Sequence, residues 1–271
     1  MILEILISTM DRRDNSFLDK MFSNNNINDF NILIINQTTQ SDILKSDLKN
    51  IRVINSFERG LSKSRNLAIK NAIGDICLFA DDDVVYKHGF DKEILSTFKN
   101  IQNADVITFK MQDNTGKLFK EYPNVDWHNK KTLITVNSVV IAFVRRKIVN
   151  LGITFNSCFG LGAVFPTGDE YVFLRDVLST KSKIYFEKTV ILTHKYFSSG
   201  RVMGSDKMVF ARSALIYKYS GTVAYLKLIR YIYRAFKSNE ISLNEFFSKY
   251  LVGIKGICHY KELVRRGIEK R

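Results

Sequence analysis

The sequence predicts an α/β fold, a mostly parallel sheet with helices on both faces, followed by a C-terminal helical extension. Three observations predict it. Short apolar runs alternate with segments of helical spacing from Ile2 to Phe109. The runs are continuous rather than alternating, as expected of strands buried on both faces. Polar and acidic residues recur where the runs stop, at Asp11, Asn36 and Asp81 to Asp83. That places them on one rim, where ligands sit in such sheets.

Ile2 to Ile7 reads as the first strand, ending at Ser8, Thr9, Met10 and Asp11, with a helix over Asp14 to Phe22. Phe30 to Ile35 is a second strand, stopped by Asn36 and Gln37, and Ile51 to Ile54 a short third. Leu61 to Ile73 has helical spacing and stops at Gly74. A fourth strand, Ile76 to Ala80, runs into Asp81, Asp82 and Asp83. A helix around Phe90 to Phe98 and a strand at Asp105 to Phe109 follow. Thr132 to Val144 reads as one or two strands. Phe159 to Gly168, with three glycines and a proline, reads as a loop suited to cover a site. Asp169 then opens a helix, Ile184 to Phe186 and Thr189 to Thr193 are short strands, and His194 follows the second.

The three carboxylates carry the first chemical argument. Desolvation and mutual repulsion oppose keeping them ionised at a sheet mouth without a partner. A hard divalent cation, Mn²⁺ or Mg²⁺, is such a partner, taking one or two carboxylates and leaving its other positions to water and phosphate oxygens. Along a strand, Asp81 and Asp83 share a face and Asp82 points away. The bland alternative is a solvated acidic turn.

Composition excludes several classes. Cys77, Cys158 and Cys258 are few, odd in number and far apart, which argues against a disulfide framework and for a reducing compartment. The first apolar run contains Glu4 and reads as a core strand, not a secretory signal. No run approaches the ~20 residues that span a bilayer. The expectation is a cytoplasmic protein, peripheral at most on the inner face of the plasma membrane. The net charge of +14 is concentrated in the tail: Lys195 to Arg271 holds 16 basic and 5 acidic residues, a net of +11. The tail is therefore the part that needs an anionic partner.

Further polar residues admit two readings each. Asp169 and Glu170 suit a helix N-terminus through the macrodipole, or one of them is a general base. His194 is an ordinary strand-end residue, or an imidazole completing a metal site with the carboxylates. Arg65 and Asn66 lie on an exposed helix face, or reach phosphate oxygens.

Three stretches in this order, Glu58 to Val84, Phe159 to Leu174 and Thr193 to Arg201, resemble glycosyltransferase family 2 with the GT-A, Rossmann-like nucleotide-sugar-binding fold. The resemblance covers Met1 to Arg201 as a catalytic domain (1–201) and leaves 202–271 as a basic helical extension. It implies an inverting transferase moving a sugar from a nucleotide-sugar donor, a UDP-sugar foremost, to a glycan or lipid-linked glycan, as in bacterial surface polysaccharide synthesis. It implies Asp83, Asp81 and His194 as metal ligands, with Asp81 alternatively on the ribose. Thr9, Asp11, Asn36, Gln37, Arg65, Asn66, Asp81 and Asp82 would line the nucleotide sugar. The catalytic base would be Glu170 or Asp169. Family members usually carry Pro-Thr-Tyr-Asn after the first strand and an acid after the second. This chain has Ser8 to Asp11 and Asn36-Gln37 there, and an amide can still pair with a base edge.

Two rival readings stand beside this one. Asp81-Asp82-Asp83 can be read as the Asp-x-Asp of a haloacid dehalogenase-like phosphatase, although that motif belongs on a first strand. The fold can also serve as a non-catalytic nucleotide-sugar-binding subunit at a membrane. In the tail, Lys227, Arg230, Arg234 and Lys237 recur at helical spacing among Tyr225, Leu226, Ile229, Tyr233 and Phe236. Such a helix fits an anionic membrane surface, or packs on the protein with a wet basic rim. No nucleic-acid-binding motif is present.

Overall fold

β1 (Leu3–Met10) is buried along all but its last residue, as its apolar run demands. In a computed structural model of the chain, which describes residues 1–195 and 203–270, it sits inside an eight-stranded sheet of order β3-β2-β1-β4-β7-β6-β8-β5. The other strands are β2 (Asn31–Gln37), β3 (Ile51–Ser56), β4 (Ile76–Asp81), β5 (Val85–Tyr86), β6 (Val106–Gln112), β7 (Ile141–Val144) and β8 (Ile184–Thr193). β1 pairs in parallel with β2 and β4, β2 with β3, and β6 with β8. β7 runs antiparallel to both of its neighbours, and β5 to β8. From β1 the chain moves to one side for β2 and β3, then returns to the other side for β4. A reversal of this kind is where ligands sit in such sheets, and here it falls at the carboxyl ends of β1 and β4, where Ser8 is in register with Asp81.

The chain divides into two compact units, one of Met1–Asn156 with Glu170–Tyr196 and one of Ser157–Asp169 with Phe197–Arg271. The first contains the sheet with α1 (Ser16–Met21), α2 (Leu61–Asn71), α3 (Phe90–Asn100), α4 (Arg145–Asn150) and nearly all of α5 (Asp169–Ser179). Aromatic rings dock α5 on β4. Phe173 stacks on Phe155 at 4.4 Å between centroids and meets Phe79 edge-on at 5.7 Å. At the amino end of the sheet the buried Glu4 accepts hydrogen bonds from Arg52, Ile73 N and Gly74 N. A Cβ on Gly74 would lie 2.6 Å from Glu4 Cβ, so this junction needs glycine.

The second unit contains α6 (Asp206–Ser220), α7 (Ala224–Lys237) and α8 (Phe246–Arg265). Gly256 lets α8 approach α6, since a Cβ there would collide with the Phe210 carbonyl and Ser213 Oγ. Among the described residues no helix is long and apolar enough to cross a membrane.

Several expectations change in the structure. Thr132 to Val140 forms two 3₁₀ turns, and only Ile141–Val144 is a strand. The two strands expected between Ile184 and Thr193 are one ten-residue strand. The glycine loop groups with the second unit rather than the first. It is anchored there: Phe159 and Phe165 are fully buried, and Phe165 packs against Phe210 and Tyr260. Gly168, at φ +80°, sits so close to Leu215 that a side chain would clash.

Candidate active site

The acidic strand end is not extended throughout. β4 stops at Asp81, and Asp82 and Asp83 occupy the turn before β5. The two-residue strand period therefore does not govern them, and each carboxylate meets a different partner. Arg65, 2% exposed on α2, donates to Asp81 Oδ1 at 3.0 Å and to Ser138 Oγ at 2.7 Å. Its guanidinium lies over the Phe155 ring. Asp82 accepts from Arg12 Nε at 2.8 Å and from the Thr9 hydroxyl. Asp83 Oδ1 lies 3.3 Å from His194 Nε2.

The Asp83–His194 contact has a chemical consequence. His194 Nδ1 is 2.8 Å from the Lys195 carbonyl, which can only accept, so Nδ1 carries a proton. In the neutral ring Nε2 is then a bare lone pair facing a carboxylate. Two acceptors at that distance are held together by a cation, either a proton on Nε2 or a metal ion. Without a metal, the proton serves. Hydrogen bonding to His194 holds the Asp83 carboxyl below its usual range. Burial pulls His194 downward, but the hydrogen bond and charge of Asp83 outweigh it and raise the ring above its ordinary value.

A carboxylate oxygen with an oriented imidazole is a donor set that suits Mn²⁺, and Mg²⁺ needs no more protein ligands than these when phosphate oxygens complete the shell. Among the described residues no three His, Cys, Asp or Glu side chains gather as a metal cluster. The third expected ligand, Asp81, is turned to Arg65.

The residues expected to line the nucleotide sugar separate into two groups. Thr9 and Asp82 meet each other, and Asp11 stays exposed at the rim with φ +54°, gripped by both terminal nitrogens of Arg59 at 2.9 and 3.0 Å. Asn36, Gln37 and Asn66 are used differently. Asn36 is fully buried, accepts from Arg12 N, and donates to Arg12 O and Asn55 Oδ1. No amide hydrogen is left for a base edge. Gln37 Oε1 accepts from Gly60 N at the start of α2, and Asn66 clamps the Phe155 backbone through both N and O. All three amides thus hold neighbouring backbone in place, Gln37 through its oxygen alone. Sequence reasoning missed Arg12, Arg59 and Ser138. An arginine directly after a strand end that faces three carboxylates was a readable signal for Arg12, whereas Ser138 lay in a segment read as strand.

Glu170 is half-buried in the first turn of α5, and Asp169, the preceding residue, is 4% exposed and falls in the second unit. Of the third motif, Tyr196 to Arg201 lie outside the described residues.

The family model "Glycosyl transferase family 2" matches residues 9–160, more than half of the chain. The chain belongs to glycosyl transferase family 2. Solved structures agree on the fold. S. aureus TarS 1–349 superposes with a TM-score of 0.55 at 13% identity, covering 100% of this chain and 93% of that one. The complex of TarS 1–349 with UDP-GlcNAc gives 0.55 at 13% identity over 98% of this chain and 92% of that one. Its complex with UDP gives 0.52 at 14% over 100% and 93%. No curated protein matches the sequence. As a family 2 glycosyltransferase with a GT-A fold, the chain is an enzyme, and neither the phosphatase nor the non-catalytic reading stands. The acidic motif follows the fourth strand, not the first.

Proposed function

We propose that the chain is an inverting, metal-dependent transferase that moves a sugar from a UDP-sugar to a glycan or lipid-linked glycan. The observation that supports this is Asp83 Oδ1 3.3 Å from His194 Nε2 at the carboxyl end of the sheet, a carboxylate oxygen and an imidazole nitrogen that a metal ion would share once it displaced the proton between them. Asp83 and His194 would hold Mn²⁺ or Mg²⁺. Such an ion, when bound, neutralises the charge that develops on a departing nucleoside diphosphate. The UDP-GlcNAc and UDP complexes of TarS support the choice of uridine donor.

The chain's own residues account for the rest. Arg65 fixes Asp81 at the strand end by holding its Oδ1, so that Asp81 would meet a ribose hydroxyl or the ion without being free to swing. Thr9 and Arg12 hold Asp82 away from Asp83. Glu170 takes the proton from the acceptor hydroxyl as that oxygen attacks the anomeric carbon from the face opposite the leaving diphosphate. In-line attack of this kind inverts the centre. The acceptor and the basic second unit share an anionic membrane surface in this reading.

Calorimetry of the full chain with UDP-sugars, with and without Mn²⁺, tests it. Wild type should bind in a Mn²⁺-dependent manner, and Asp83→Asn should lose that dependence while its melting temperature holds. Equal Mn²⁺-dependent affinity in the two proteins would remove Asp83 from the site.

A further inference from the structure

α7 has two apolar faces, and the second unit seals only one of them. Ala224, Leu228, Ile232 and Ala235 are 0% exposed and form a core with Ile257 of α8. On the other side, Leu226 is 70% exposed, Tyr233 48% and Ile229 43%. Their spacing of three and four places them on one face, together with Arg230 and Lys237. Lys227 and Arg234, seven residues apart, edge that face. All four cations are exposed. Lys237 Nζ stands 5.5 Å over the Tyr233 ring, and Lys227 Nζ reaches Ser220 Oγ. The helix contains no acidic residue.

We infer that this open face of α7 lies flat on an anionic lipid bilayer, with Leu226, Ile229 and Tyr233 in the headgroup boundary and Lys227, Arg230, Arg234 and Lys237 against lipid phosphates. A helix that only packs on its own unit with a wet basic rim has no reason to keep Leu226 and Tyr233 in water. A second copy of the chain is a poor occupant, because a two-fold contact would set four cations against four. Anionic phosphates over an apolar layer match both components of the face at once, and a tyrosine is at home at that depth. Each of the four cations is drawn to such a surface by its negative potential. The inference deepens the membrane-surface partner proposed above, and it needs neither the metal nor the base.

The test is co-sedimentation of the full chain with phosphatidylglycerol-rich vesicles and with phosphatidylcholine vesicles, at low and high salt. Wild type should sediment with the anionic vesicles at low salt and less at high salt. Reversing Lys227, Arg230, Arg234 and Lys237 to Glu should lower partitioning at least about 100-fold. The pair Leu226→Ser and Tyr233→Ser, which leaves every charge in place, should lower it about 10-fold. Hydrolysis of UDP-sugar in solution should persist in all variants, which separates loss of docking from loss of the active site. Equal partitioning of wild type and either variant overturns the inference. So does partitioning that ignores lipid charge, or a wild type that never sediments.

Discussion

Arg12 Nε lies 2.8 Å from Asp82 Oδ2, and Asn36 holds the Arg12 backbone by both its N–H and its carbonyl. One of three adjacent carboxylates is thus neutralised by a cation that the second strand pins in place. Removing that cation leaves more negative charge around the proposed metal site. Arg12→Ala should therefore bind Mn²⁺ more tightly, by about 5-fold or ~1 kcal/mol, as expected for a partly exposed pair. Asn36→Ala should move affinity in the same direction and by less. Isothermal titration with Mn²⁺ measures both. Weaker binding in Arg12→Ala would mean that the placement of Asp82, not its charge, is what the arginine supplies.

Glu170 and Asp169 are adjacent in sequence but differ in setting. Glu170 is half-buried within the unit that contains the acidic strand end, whereas Asp169 is buried and grouped with the helical unit. Glu170→Gln keeps the shape and cannot accept a proton, so kcat should fall about 100-fold or more with little change in donor affinity. Asp169→Asn should cost less in rate. Steady-state kinetics and donor titration on the two variants decide between them, and the reverse order would move the base to Asp169.

β1, β2 and β4 were legible because they are buried on both faces, and a continuous apolar run such as Ile76 to Ala80 marks that environment in one dimension. The rim followed, since Asp11, Asn36 and Asp81 end such runs. The partners of these residues were not legible. Whether Asn36 faces a base or the Arg12 backbone depends on contacts between residues 24 apart, which no local pattern encodes. The segment Thr132 to Val140 misled for a related reason. Leu133, Val139 and Val140 are buried, but they are held in 3₁₀ turns, and a short apolar stretch does not distinguish these from a strand. The two faces of α7 look alike in sequence, because both carry aliphatic residues at helical spacing.

His128 offers a test of pH behaviour away from the site. The ring is 7% exposed, with Nε2 2.8 Å from Thr108 Oγ1 and Nδ1 3.0 Å from Thr132 Oγ1. Burial pushes its pKa down to about 4 from 6.5. Between those values the unfolded chain binds a proton that the folded chain refuses. Stability is therefore fully present above pH 6.5 and falls as the pH drops towards about 4, by roughly 3 kcal/mol in all. Urea unfolding at neutral pH and near pH 4.5 should show this loss. His128→Gln should lessen it by a comparable amount, and an unchanged pH slope in that variant would acquit His128.

Glu4 closes the opposite end of the sheet, and its carboxylate is 1% exposed. Oε1 accepts from Arg52 at 2.6 Å, and Oε2 accepts from Ile73 N at 2.6 Å and Gly74 N at 2.8 Å. All three partners are donors, so the site wants acceptors on both sides. Glu4→Gln keeps the volume but must turn its NH₂ either to Arg52 or to the two backbone N–H groups, facing donor with donor. It also strips a buried charge from its partner. The loss should be about 3 kcal/mol, or roughly 8 °C in Tm for a chain of this size. Arg52→Met should cost a comparable amount, because it leaves the buried Glu4 carboxylate without its cation although both backbone donors remain. Below the melting range kcat should be unchanged in either variant, since this junction lies at the amino ends of the strands whose carboxyl ends form the site. Calorimetric Tm values for both, set beside transfer rates at low temperature, check the argument, and a Glu4→Gln protein as stable as wild type would refute it.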